Sequence, residues 1–242
     1  MINLVLVTSV IKTSSNHLSY TANRSVYTHI ERFEQTKKTL QSVKAKIPNH
    51  KIFIIECSDL SSEETTYLKE NSDYFLNLIT NPLNKEYVNS RSKSLGEGSM
   101  TISALEYIIQ NNIEYDNLIK ISGRYWLSDK FDYDKFNNPD DIIIKCIEGN
   151  NLSYIFTALY KLPKPYIKTL YDFLKTNMFH MFNCIGYEDL FGKFIQSIVT
   201  TVTTVTTVTT VTTVKSNSNR IVNISPIGLQ GHVSVSNDFY DG

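Results

Sequence analysis

The stretch that most constrains the fold is KSLGEGSMTISALEYIIQNNIEYDNLIKISGRYWL, Lys93 to Leu127. It reads as a glycine-opened helix over Leu95 to Asn111, a short turn, and a buried strand over Asn117–Ile121. That strand runs straight into Ser122-Gly123-Arg124-Tyr125, a segment expected to be exposed. In an open α/β sheet the chain leaves the carboxyl edge of each strand through a loop, and ligands bind in the crevice there. An apolar run that ends in Gly, Arg and aromatics therefore predicts a fold and a site together.

The rest of the pattern agrees with such a sheet. Ile2–Val7 is an unbroken β-branched and leucine run, a first buried strand. A polar loop, Thr8–Asn23, carries His17 and Tyr20 and leads to Arg24. Ser25 is placed to cap a helix from about Val26 to Lys46, with Ile30, Phe33, Leu40, Val43 and Ile47 at helical spacing. Lys51–Glu56 is a second strand, and Ser61 with Glu64 has capping-box spacing at the start of a short helix. Tyr74–Ile79 reads as a third strand, Asn81–Ser94 as a polar loop. This β-α-β-α-β-loop-α-β order predicts a single α/β, Rossmann-like domain, a mostly parallel central sheet flanked by helices. Further on, Asp141–Ile147 and Tyr154–Leu159 read as strands, Pro165–Lys175 and Tyr187–Ser197 as helices, and Ile221–Ile224 and Val233–Val235 as short strand pieces.

Val199–Val214 is a strict Val-Thr-Thr triplet repeat. A period of three matches neither the two of a strand nor the 3.6 of a helix, so no constant face forms. It reads as a low-complexity insert over 199–218, between a domain over 1–198 and a C-terminal segment over 219–242 that returns to it. An adhesive β segment is the sharper alternative.

Across 242 residues, Lys plus Arg equals Asp plus Glu at 24 each, so no bulk electrostatic hold on nucleic acid is expected. A phosphate site needs only one or two cations. Cys57, Cys146 and Cys184 are odd in number and widely spaced, which indicates neither a zinc site nor a disulfide framework and points to a cytosol-like compartment. The apolar opening lacks a basic leader, and no run approaches the roughly 18 apolar residues of a membrane span. No G-x-G-x-x-G, Walker loop or G-x-S-x-G occurs, so dehydrogenase, nucleoside-triphosphatase and hydrolase readings lack their marks.

The strand running into Glu56, Ser58 and Asp59, the stretch Asn81–Leu105, and GYEDLF at Gly186–Phe191 together resemble the GT-A type nucleotide-diphospho-sugar transferases. Lys120–Leu127 and Arg24–Thr39 are similar to uncharacterised viral and marine microbial proteins presumed to transfer sugars. The strand into Glu56, Ser58 and Asp59 stands where inverting members contact the nucleobase. Asn81–Leu105 resembles the segment before their metal strand, and Gly186–Phe191, GYEDLF, their acidic pair at a helix start. The resemblance spans roughly residues 1–195. It implies a GT-A-like fold, a nucleotide-sugar donor, a glycan or lipid-linked acceptor, a place in polysaccharide biosynthesis, and a cytoplasmic location (host cytoplasm if viral). It departs at one place. Where the family has Asp-x-Asp for a divalent metal, this chain has Ser122-Gly123-Arg124, and an arginine repels a cation. The resemblance thus implies either a metal-independent transferase that requires no cofactor, or a GT-A-like binder of a glycan or partner that has lost catalysis. A sugar-activating cytidylyltransferase would need a glycine-rich basic loop after the first strand, which Thr8–Asn23 does not supply.

Residue roles follow from that reading. Fixed cations can replace a metal against a departing diphosphate. Arg24, Arg91, Lys93 and Arg124 are the candidates, with Glu56, Asp59 and Tyr125 for the nucleoside or sugar. Glu188 or Asp189 is the candidate base for the acceptor hydroxyl. Each has a plainer alternative: Arg124 tying the sheet edge to Asp129, Glu188 and Asp189 favouring a helix dipole, Tyr125 or Trp126 as core. Asp129, Asp132 and Asp134 read as either a displaced metal site or a solvated turn, and His180 as a packed histidine.

Overall fold

In a computed structural model, residues 1–208, 221–236 and 238–242 are described, with 200–208 described by backbone alone. The first strand, β1 (Asn3–Ser9), lies between β2 (His50–Glu56) and β4 (Asn117–Ser122), parallel to both, so that Val5 faces Ile52 on one side and Ile119 on the other. β3 (Tyr74–Asn77) extends this half in parallel beside β2. Beyond β4 the direction changes: β7 (Leu159–Pro163) runs antiparallel to it, followed by β6 (Ile142–Ile144) and β8 (Ile221–Asn223). Among the described residues the sheet order is β3-β2-β1-β4-β7-β6-β8, an α/β sheet with mostly parallel pairing. A small antiparallel sheet joins β5 (Tyr125–Leu127), β9 (Leu229–His232) and β10 (Phe239–Asp241).

Alternation within the strands builds two cores. Leu4, Leu6, Phe53, Ile55 and Leu118 face one side, toward α4 (Lys93–Gln110), α5 (Ile167–Thr176) and α7 (Tyr187–Val208). Val5, Val7, Ile52, Ile54, Ile119 and Ile121 face the other, against Phe33, Leu40 and Val43 of α1 (His29–Lys46) and Leu68 of α2 (Ser62–Glu70). Both faces are covered, which is why these strands read as continuous apolar runs.

Several boundaries differ from the sequence reading. α1 starts three residues later than expected, because Thr28 rather than Ser25 caps it, in a reciprocal capping box with Glu31. Within the expected Asn81–Ser94 loop is a helix, α3 (Pro82–Asn89): Asn81 accepts from the amides of Leu83 and Asn84, and Pro82 occupies the first turn. α4 starts at Lys93 with Ser92 as its cap, so Gly96 and Gly98 lie inside the helix and do not open it. The strand expected at Tyr154–Leu159 is displaced to Leu159–Pro163, where it pairs with β4. Val233–Val235 is a turn, flanked by β9 and β10. His180, on the short α6 (Met178–Phe182), is exposed, not packed. The triplet repeat continues α7 as helix to Val208. Leu190, Phe191, Phe194 and Ile195 already fix that helix on the core, and propagation from a formed helix is cheap. The remainder of the repeat lies outside the described residues.

Candidate functional site

The carboxyl ends of β1 and β4 lie side by side where the sheet order reverses, β1-β2-β3 building outward one way and β4 starting the other. The chain turns sharply there. The Gly123 amide donates to Thr8 O at 2.8 Å, and the Arg124 amide to Ser122 O at 2.8 Å. A Cβ at Gly123 would stand 3.1 Å from Ser9 Cβ and 3.3 Å from Thr8 O, so a larger residue requires β1 to give by a few tenths of an ångström. Contrary to the expectation of an exposed segment, Gly123 and Tyr125 are buried.

A polar stripe on α1 fixes this turn. Thr36 Oγ1 donates to Gly123 O at 3.0 Å, Thr39 Oγ1 to Tyr125 O at 2.6 Å, and Ser42 Oγ accepts from the Leu127 amide at 2.9 Å. Spacing of three places these hydroxyls on one helix face, and they supply partners to backbone groups that would otherwise be buried without one. Arg32 sits one turn earlier on the same face and is 5 % exposed.

Two adjoining cavities open at this edge. One, about 120 Å³, is walled by Thr8, Ser9, Arg24, Arg32, Ser122, Arg124 and Ser234. The other, about 360 Å³, is walled by Tyr20, Tyr154, Cys184, Gly186, Tyr187 and Glu188. Lys93 and Glu97, one turn apart on α4, line both.

The smaller cavity is cationic. Four cations, Arg24, Arg32, Lys93 and Arg124, line it against one carboxylate, Glu97, which already pairs with Lys120 at 2.6 Å. Among the described residues Arg32 bonds only neutral oxygens: Val10 O at 2.9 and 2.5 Å, Ser25 Oγ at 3.2 Å and Ser234 Oγ at 3.0 Å. Burial, and then the charge of Arg124, push its proton affinity down to about 9 against the pull of Glu56. Arg124 donates to His232 O at 3.1 Å. Arg24 is more committed: it bonds Val88 O at 2.8 Å, Asn89 O at 3.3 Å, Asn16 O at 3.2 Å and Ser90 O, closing the carboxyl end of α3.

The larger cavity is acidic. Burial and repulsion from Glu97 raise the Glu188 carboxyl above the ordinary range, against the pull of Lys93 and Lys120. Glu97 moves the other way. Burial opposes its ionisation, but Lys120, Lys93 and Arg124 outweigh it and hold the carboxyl low.

The structure brings Arg24, Lys93, Arg124 and Glu188 to these cavities and leaves the other candidates outside their walls. Glu56 is fully buried, its Oε1 accepting from the amides of Ile11 and Cys57 and from Ser58 Oγ at 3.1, 2.9 and 2.5 Å. Asp59 and Arg91 are exposed on neighbouring loops. Asp189 lies back over Gly186, where a side chain would come within 2.5 Å of its Oδ2. Tyr125 packs edge-on against Phe156 and Tyr240, and Trp126 against His232 and Phe239. Asp129 pairs with Lys46 at the far end of α1, and Asp132 with Lys135. Among the described residues no group of three His, Cys, Asp or Glu side chains is placed to hold a metal ion. No helix among them is long and apolar enough to cross a membrane.

Arg32, Glu97 and Lys120 are the site residues that the sequence reading missed. Lys120 carried a signal: a lysine in the middle of an apolar strand must be buried with a partner. Glu97 lies one helical turn from Lys93, already a candidate, whereas nothing in the local sequence marked Arg32.

No family model matches the sequence, and no curated protein matches it. Many solved structures are similar, two glycosyltransferases among them. The galactosyltransferase LgtC, in complex with donor and acceptor sugar analogs, is 10% identical over 93% of this chain and 85% of that one, at a TM-score of 0.49. A glycosyltransferase involved in the glycosylation of the major capsid of PBCV-1 is 10% identical over 73% of this chain and 66% of that one, at a TM-score of 0.38.

Proposed function

We propose that this cleft transfers a sugar from a nucleoside diphosphate donor to a hydroxyl of a glycan or lipid-linked acceptor, with fixed cations in place of a metal. The observation that carries the reading is the smaller cavity, where four cations face one carboxylate that is already paired. Arg32 and Arg124 repel one another there, and a bound polyanion relieves both. Preorganised charge of this kind stabilises the negative charge that develops on a departing diphosphate. Arg124, with a planar fork of donors and only one of its bonds to backbone, takes the leaving phosphate. The adjoining cavity lies in the range of small-ligand sites and holds the acceptor. Glu188 in its wall has a carboxyl raised toward neutrality, suited to accept the acceptor's proton.

Thermal shift with UDP, GDP, dTDP and CDP, each in chelator and in manganese, tests the proposal. A ligand at 100 times its Kd stabilises the native state by about 2.7 kcal/mol. For a chain of this length that is a rise in Tm of roughly 5–10 °C. One nucleoside diphosphate is expected to give such a rise in chelator, followed by nucleotide release from the matching sugar donor. A response confined to manganese would refute the metal-independent site. Silence across the panel would refute the donor class.

A further inference from the structure

We propose that Glu97 is the catalytic carboxylate that stands against the sugar carbon during transfer, and that Lys120 is the residue that positions it. The inference rests on the cleft being a sugar-transfer site, and adds a residue that the acidic pair at the start of α7 does not supply.

Place is the first ground. A group that leaves a phosphate in the smaller cavity and joins a hydroxyl in the larger must cross the wall between them. Of the residues that line the two cavities, Lys93 and Glu97 alone line both. The carbon that exchanges partners develops positive charge as its old bond lengthens, and Glu97 is the member of that pair with the matching sign.

Rigidity is the second. Lys120 is 0 % exposed and its Nζ donates three hydrogen bonds: to Glu97 Oε1 at 2.6 Å, Ser122 Oγ at 2.9 Å and Thr157 O at 2.8 Å. An ammonium has three donors, so its geometry is saturated. The carboxylate is gripped at Oε1 from inside the sheet, while 18 % of its side-chain surface remains open. A buried ion pair is seldom the most stable way to fill such space, since well-packed apolar residues of similar volume do as well. Its presence under a cleft points to chemistry.

Division of labour is the third. Two carboxylates share the larger cavity, and their surroundings push them apart: Glu97 is held ionised by Lys120 and Lys93, while the Glu188 carboxylate has its affinity for a proton raised and is the better acceptor. Such a split assigns different roles to two like groups. In the transfer, the bond from the sugar carbon to the phosphate oxygen breaks with its electron pair passing to the diphosphate. The acceptor oxygen forms the new bond, and its proton passes to Glu188. Glu97 forms no bond and stabilises the charge on the carbon.

The test is nucleotide release and sugar transfer from a panel of UDP- and GDP-sugars by wild type, E97Q, K120R and K120M. For E97Q, a fall in kcat of about 100-fold or more is expected, the scale of losing one preorganised electrostatic group. The Tm gain given by the matching nucleoside diphosphate should not fall, because the lost carboxylate leaves the smaller cavity more cationic. K120R should keep part of the activity, and K120M should move the acid limb of the kcat profile to higher pH, because the carboxyl loses its strongest counter-charge. Should E97Q fail to fold, E97Q/K120M removes both charges and carries the same expectation. Either variant, folded and within threefold of wild-type kcat, overturns the assignment of Glu97. Folded wild type that releases no nucleotide from any donor overturns the transferase reading itself, a separate outcome.

Discussion

Replacing Lys120 with Met separates a site residue from a structural one by magnitude. Methionine keeps the length and apolar stem of the lysine and removes the charge, leaving Glu97 Oε1, Ser122 Oγ and Thr157 O without their donor. Breaking a buried pair from one side costs about 3–5 kcal/mol. Glu97 keeps 18 % of its side-chain surface open to the cavity, so water restores part of the loss and the lower end, about 3 kcal/mol, is expected. At roughly 2–4 °C per kcal/mol for this chain length, Tm should fall by roughly 6–12 °C. Removing the second charge with Glu97→Gln should then recover stability. Across the cycle K120M, E97Q and K120M/E97Q, urea unfolding should give a coupling of about 2 kcal/mol or more, well above the roughly 0.5 kcal/mol scatter of independent sites. Additive losses, or a neutral K120M, would refute the picture of a paired charge held under the cleft.

Arg124→Met should weaken binding of the stabilising nucleoside diphosphate by roughly 10- to 100-fold, the scale of one charged hydrogen-bonded contact, read by titration in chelator. Gly123→Ala should cost about 1–3 kcal/mol in urea unfolding, because the turn meets Ser9 and Thr8 before it can relax. Thr28→Ala should cost about 1 kcal/mol through loss of the α1 cap, with nucleotide binding unchanged. Glu188→Gln should have a pH-dependent effect whose sign is fixed. With the folded carboxyl raised, native stability falls as pH rises from the ordinary carboxylate range through the raised value. The variant should therefore show a higher Tm than wild type at pH 8, no gain at pH 4, and lost transfer. A gain equal at both pH values would contradict the raised carboxyl.

The parallel half of the sheet was legible in the sequence because Ile2–Val7, Lys51–Glu56 and Asn117–Ile121 are buried on both faces, and burial on both faces writes itself as an unbroken apolar run. α3 was legible in principle from Asn81-Pro82, an N-cap followed by a first-turn proline, but its polar residues read as loop. The expected Ser25 cap lost to Thr28 because only Thr28 has a glutamate three residues on. Within the site, Arg124, Lys93, Arg24 and Glu188 could be picked out, since strand ends and helix starts are where such a sheet meets solvent. Glu56 and Tyr125 sit at such ends too, yet fold inward, because the unpaired amides of Ile11 and Cys57 and the apolar rings of Phe156 and Tyr240 claim them.

By itself, then, the sequence determined the parallel strands, the helices α1, α2, α4, α5 and the start of α7, and which edge of the sheet would carry polar residues, since these follow from periodicity and from short-range capping. Tertiary structure alone decided which charges meet. Arg32 joins Arg124 through the register of α1 on the β4–β5 turn, Ser234 returns to them from the chain's other end, and Glu97 faces Glu188 because α4 and α7 pack on the same face of the sheet. Those are contacts between residues as many as 202 positions apart, and neither their distances nor their electrostatics are written in any local pattern.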